Sequence, residues 1–180
     1  IPAVSDRIVQ GALRHVLEPI FEAEFAGQSY GFRPGRGAKD ALRRVDTLLQ
    51  AGHDWVVDAD LKSYFDTIPH ERWLALVAER VGDGRVLAMV ESFLRAGVLE
   101  EAQGWQPTER GTPQGGVISP LLANLYLNPL DHQMEKAGGE MVRYADDFVI
   151  LRRHEAEAQS ALETVRQWVS EAGLTLQPEK

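Results

Sequence analysis

Residues 141 to 151, MVRYADDFVIL, set two adjacent carboxylates, Asp146 and Asp147, inside an otherwise apolar run of β-forming residues. Burying one unpaired carboxylate is costly, and a second beside it adds like-charge repulsion. The strand–turn–strand pattern over residues 140 to 152 puts the pair at the tip of a β-hairpin. A chain built this way has to neutralise two negative charges at that tip.

Other segments supply the frame. Ser5 reads as an N-cap, followed by apolar residues at helical spacing up to a kink near Pro19. YGFRPGRG is a turn-rich loop, and a helix over about residues 37–50 closes at Gly52. DWVVDADLKSYFD reads as a strand that runs into acidic positions. PHERWLALVAERVG opens with Pro69 in a first turn and ends at Gly82, and RVLAMVESFLRAG ends at Gly97. Residues 98–112 read as a hairpin turning near QGWQP. TPQGGVISPLLANLYLNPLDHQME is a glycine-rich loop entering a helix, with Ser119 as N-cap and Pro120 in the first turn. A helix over about 154–172 and a strand start at LTL close the chain. The fold class is α+β, a mostly antiparallel sheet with helices on one face.

Asp58 and Asp60 sit two apart in the first strand and share a face, with Ala59 on the other. If that strand lies beside the ADD hairpin, carboxylates from two distant segments meet. Such a cluster calls for cations, and Mg²⁺ suits a hard oxygen site. Two ions about 3.5–4 Å apart would clamp the attacking and leaving oxygens of a phosphoryl transfer. Taken singly, each aspartate reads first as a turn cap or strand end. In RGTPQGGVISP, Gly115 and Gly116 remove side chains where a backbone could approach a flat ligand, and Gln114 stands beside them. Phe65, five residues after Asp60, reads either as a ring beside a nucleotide sugar or as a core residue.

Charge is uneven. Residues 29–44 hold five bases and one acid, whereas residues 51–180 hold 12 bases and 21 acids. The total of −8 argues against non-specific nucleic-acid binding, while one basic cluster suits a polyanion path at an edge. Arg33 and Arg36 in that cluster are candidates for phosphate contacts, since phosphate recognition favours arginine. Hydrophobic residues make up 44%, enough for a core, and there is no cysteine. That excludes a disulfide scaffold and thiolate metal sites, and fits a cytoplasmic location. No apolar stretch reaches the roughly 20 residues that span a bilayer, so no membrane partner is expected. The chain, starting at Ile1, reads as a piece of something longer.

Together these segments resemble a reverse transcriptase of the group II intron-encoded type. DADLKSYFDTIPHE, GTPQGGVISPLLANLYLNPLD and YADDFVIL match that family's palm motifs in order and spacing. SYGFRPGRGAKDAL resembles its fingers segment, and IPAVSDRIVQGAL the motif before it. The resemblance implies a right-hand polymerase palm over residues 53–180, with part of the fingers over residues 1–52, truncated at both ends and without a thumb. It implies an RNA-directed DNA polymerase that uses two Mg²⁺ ions to add dNTPs to a DNA primer on an RNA template, with group II intron RNA as a further partner. Asp60, the Leu61 carbonyl, Asp146 and Asp147 match the metal-binding positions. Phe65 matches the aromatic gate against a ribose 2′-hydroxyl, and Gln114, with Gly115 beside it, matches the contact to the incoming dNTP. Asp58 has no strict counterpart and stays a candidate behind the metal ligands. With the upstream fingers and the thumb outside it, the piece alone is expected to be inactive.

The alternatives are a maturase-type intron RNA-binding protein, a retron or CRISPR-linked reverse transcriptase sharing this core, and a nucleotide cyclase on a related sheet. Intact Asp60, Asp146 and Asp147 speak against a decayed active site. The long helix after QGG speaks against the cyclase.

Overall fold

Apolar residues recurring every three or four positions give this chain its helices, and three runs of β-forming residues give it its main sheet. The computed structural model describes residues 2–100, 104–112 and 115–177. In chain order the elements are α1 (Val4–Glu22), α2 (Ala38–Gln50), β1 (Trp55–Ala59), α3 (Tyr64–Thr67), α4 (His70–Ala78), α5 (Gly84–Leu94), β2 (Val98–Glu100), β3 (Gly104–Gln106), α6 (Ser119–Lys136), β4 (Glu140–Tyr144), β5 (Asp147–Arg152) and α7 (Glu155–Glu171). They form two compact units, Ile1–Ala23 with Ser63–Tyr126, and Glu24–Lys62 with Leu127–Lys180.

The second unit carries a three-stranded antiparallel sheet in the order β1-β5-β4. The central strand, β5, buries Phe148, Ile150 and Leu151. Ala59 opposes Phe148 across β1 and β5, and Tyr144 opposes Asp147 across β4 and β5. Helices flank both faces of this sheet rather than one. Val142 and Leu151 pack with Ala41 and Leu48 of α2. Arg143, next along β4, projects to the other face by strand alternation and meets Asp131 of α6.

The first unit packs α4 against the start of α6. Trp73 is fully buried, and its indole N–H donates to the Leu122 carbonyl at 2.5 Å. The Tyr64 hydroxyl donates to the Ala123 carbonyl at 2.7 Å. A buried indole or phenol needs such an acceptor, and both find it on one helix.

Several local expectations change. The N-cap of α1 is the extended Ala3, without a side-chain cap, and Ser5 lies within the helix. Pro19 does not end α1, which runs on to Glu22 and buries Gln10, Leu13, Leu17 and Phe21. Pro69 is the N-cap of α4 rather than part of its first turn. The strand expected over DWVVDADLKSYFD stops at Ala59, and a short helix, α3, begins four residues after Asp60. GWQ is strand β3 rather than the hairpin turn.

Tyr64→Phe, which removes only the hydroxyl, should lower stability by about 1 kcal/mol, and Trp73→Ala by about 3–5 kcal/mol. Urea unfolding with an unchanged m-value checks both. Equal losses for the two variants would contradict this packing.

Candidate active site

The ADD turn is the two-residue link between β4 and β5. Its first residue, Ala145, is buried with φ 61, a left-handed conformation that side chains other than glycine seldom adopt. Asp146 is half-buried, and Asp147, the first residue of β5, is exposed. Because Ala59 opposes Phe148, the residue after β1, Asp60, comes out at the end of the sheet where Asp147 begins β5.

Electrostatics give the same placement. The Asp146 carboxyl is held above its ordinary range, first by burial and then by the negative charges of Asp147 and Asp60. Its own backbone N–H and the Arg143 guanidinium act in the opposite sense. Asp58 is not among the charges acting on it. That residue lies exposed within β1, opposite Val149. The register therefore brings Asp60 to the same end of the sheet as Asp146 and Asp147, with Asp58 two residues back along β1.

The segment after β1 is fixed by a partner strand. The Asp60 carbonyl accepts from the Gln177 N–H at 2.9 Å, and the Lys62 N–H donates to the Thr175 carbonyl at 2.8 Å. Leu61, between them, is buried and bridges Leu176. The LTL segment thus meets the chain at residues 60–62 as an isolated bridge. A cavity of about 840 Å³ runs along the outer edge of β1, with Asp58, Asp60, Leu162 and Arg166 in its walls.

The donors at the turn are hard carboxylate oxygens, which suits Mg²⁺. Their mutual repulsion is what a divalent cation would relieve. Among the described residues, no three acidic or histidine side chains are already gathered as a ligand cage.

In the first unit, Gly111 and Thr112 tie the base of the glycine-rich loop to the segment of Phe65. The Thr112 N–H donates to the Phe65 carbonyl at 2.8 Å, and the Gly111 N–H donates to the Ile68 carbonyl at 2.8 Å. Buried His70 bonds the Gly111 carbonyl through Nε2 at 2.7 Å. Gly111 has φ 69, and a Cβ there would run into the Phe65 carbonyl oxygen, so only glycine fits. On the far side, the Val117 N–H donates to Oε1 of Gln10 at 2.8 Å. Phe65 is half-buried with its ring edge-on to Tyr64, and Gly115 is exposed with φ 86. Gln114 lies outside the described residues.

Both loop arginines bond carbonyls of their own segment. Arg33 is only 7% exposed, its Nη1 donating to the carbonyls of Ala26 and Ser29, with the guanidinium over the Phe25 ring. A side chain so placed holds the loop from inside, because the carbonyls of a non-repetitive segment need donors. Arg36 is half-buried, donates to the carbonyls of Gly27 and Ser29, and lies over Tyr30.

Arg143, Asp131 and Gly31 were missed from sequence. Arg143 and Asp131 form a fully buried ion pair beside the turn. The signal was present: an arginine inside an apolar strand and an aspartate in an apolar helix rarely go buried unless paired.

The family model for reverse transcriptase (RNA-dependent DNA polymerase) matches residues 1–180. The chain belongs to that family. Members generally depend on a divalent metal. Among the relatives of this reverse transcriptase domain, the 91 kDa protein in the cob intron of Schizosaccharomyces pombe is 42% identical over 135 residues, covering 75% of this chain and 16% of that protein. The group II intron-encoded protein LtrA of Lactococcus lactis subsp. cremoris is 41% identical over 131 residues, 73% of this chain and 22% of LtrA. The domain thus spans well under half the length of either relative. The fold matches telomerase from Candida tropicalis with a TM-score of 0.68 at 12% identity, over 92% of this chain and 32% of that one. The α+β polymerase fold inferred from the motifs is the fold found. Among the described residues no helix is long and apolar enough to cross a membrane.

The raised Asp146 carboxyl has a pH signature. Its protonated form favours the fold, so this contribution is full below the ordinary aspartate range and is lost as pH rises through the raised value. In chelator, Asp146→Asn should therefore melt higher than wild type at neutral pH, with the difference vanishing in acid. Melting curves across pH check it, and an unchanged or lower Tm at neutral pH would contradict it.

Proposed function

We propose that this domain is the catalytic core of an RNA-directed DNA polymerase of the group II intron-encoded type, extending a DNA primer on an RNA template with dNTPs. The observation that carries this reading is the meeting of Asp60 with Asp146 and Asp147 at one end of the sheet, in a chain of the reverse transcriptase family. In this reading residues 1–52 are part of the fingers and residues 53–180 are palm.

Asp60, Asp146 and Asp147, with the Leu61 carbonyl, would hold two Mg²⁺ ions, whose chemistry is to acidify the primer 3′-hydroxyl and steady the leaving pyrophosphate. The protein's own part is placement and charge rather than covalent attack. The Phe65 ring is the proposed screen against a ribose 2′-hydroxyl. Gln114 and Gly115 are proposed to contact the incoming dNTP through the loop whose base Thr112 latches to Phe65. Of the two loop arginines, Arg36 is the one proposed to reach phosphate, and Arg33 is assigned to holding the loop. The intron setting of the relatives supports group II intron RNA as a partner, and with it a splicing role beside polymerisation. The cysteine-free composition supports a cytoplasmic site of action.

The test uses full-length protein, dNTPs, Mg²⁺ and an oligo(dT) primer on poly(rA). Asp60→Ala and Asp146→Ala should each lower kcat by on the order of a thousandfold or more. Phe65→Val should admit ribonucleotides while keeping dNTP addition. Intron splicing by Asp146→Ala, assayed alongside, separates the two roles. Undiminished primer extension by Asp146→Ala would overturn the polymerase reading.

A further inference from the structure

The turn that carries Asp146 is held in a conformation its sequence does not favour. Ala145 has positive φ and Asp146 does not, the pattern of a hairpin turn whose first central position usually takes glycine. An alanine adopts this backbone only where its surroundings impose it.

Two neighbours do so. On one side, the backbone of residues 28–31 lies against the turn so closely that a Cβ on Gly31 would collide with the Ala145 nitrogen and the Tyr144 carbonyl carbon. On the other, Nη1 of the fully buried Arg143 donates to the Ala145 carbonyl at 2.8 Å. The same guanidinium grips Asp131 with Nε on Oδ1 at 2.8 Å and Nη2 on Oδ2 at 2.5 Å. Both side chains are 0% exposed.

The pair is itself braced. The Gln28 side chain donates to the Asp131 carbonyl at 2.7 Å. The Arg143 N–H donates to the Gln28 carbonyl at 3.0 Å, and the Tyr30 N–H donates to the Arg143 carbonyl at 2.8 Å. A rigid guanidinium can hold a carboxylate with one edge and a carbonyl with the remaining nitrogen, which a lysine ammonium cannot do in the same plane. A buried ion pair adds little net stability compared with apolar residues of the same volume. Its use here is geometric.

We propose that Arg143, locked by Asp131, is a positioning residue that clamps the Ala145 carbonyl and so sets Asp146 and Asp147 in place before any ligand arrives. Its catalytic consequence rests on the polymerase reading; its structural consequence rests on the turn alone. Mg²⁺ and dNTP then bind a turn that needs no rearrangement, and a displacement of about 1 Å at such a site can cost on the order of a hundredfold in rate.

The experiment compares full-length wild type with Arg143→Met/Asp131→Leu, which replaces the pair by apolar side chains, and with Asp131→Asn, which keeps the volume and weakens the grip. Three readouts are taken: hydrogen exchange over residues 144–148, Mn²⁺ affinity, and kcat and KM for dNTP addition. The proposal predicts faster exchange confined to the turn, weaker Mn²⁺ binding, and a kcat lowered on the order of tenfold to a hundredfold with little change in KM. A merely structural pair would lower Tm and leave exchange at the turn, Mn²⁺ affinity and kcat of the folded protein as in wild type, and that result overturns the clamp. If the double variant does not fold, Asp131→Asn decides by the same readouts. Should wild type itself fail to polymerise, the functional reading falls, and exchange at the turn still decides the clamp.

Discussion

The antiparallel register of β1 against β5 is the constraint on which the site depends. With Ala59 opposite Phe148, the chain leaves β1 at the level where β5 begins, and Asp60 arrives beside Asp147. A slip of one residue would turn each β1 side chain to the other face. Ala59 and Phe148 would then lose the burial they share, and Asp60 would leave the edge. The apolar packing of the sheet thereby fixes a polar geometry at its end.

That geometry works against the stability of the bare chain. Half-burial and two neighbouring carboxylates disfavour the charged form of Asp146, and Ala145 is held at positive φ. Strained backbone and crowded like charges persist where surrounding structure over-determines them, and such places are commonly functional. Here the surrounding structure is specific: Gly31 gives close approach, and Arg143 supplies the donor. In the first unit, Gly111 plays the part of Gly31, letting the base of the glycine-rich loop lie on the Phe65 carbonyl.

Much of this was legible in the sequence. The alternation around ADD gave the hairpin, and helical spacing with flanking glycines gave α2, α6 and α7 within a residue or two. Asp58, Asp60, Asp146 and Asp147 were singled out because carboxylates beside apolar runs demand a reason, and only the family resemblance set Asp58 behind the other three. What was not legible depended on partners far along the chain. Arg33 stands in a basic, turn-rich stretch and reads as a phosphate contact, yet loop carbonyls take its guanidinium into the interior. The strand read through Asp60 ends early, because the chain there turns to meet residues 175–177. Arg143 and Asp131 pair only once β4 has been laid across α6, so neither could be matched to the other from spacing alone.

The most direct measurement is electron paramagnetic resonance of Mn²⁺ in the full-length protein with primer–template and a non-hydrolysable dNTP. A shared two-ion site predicts a spin-coupled spectrum, as for ions about 3.5–4 Å apart, that collapses when Asp60 alone becomes Asn. Isolated Mn²⁺ signals, or a coupled spectrum indifferent to Asp60→Asn, would show that the end of β1 and the ADD turn do not hold the same ions.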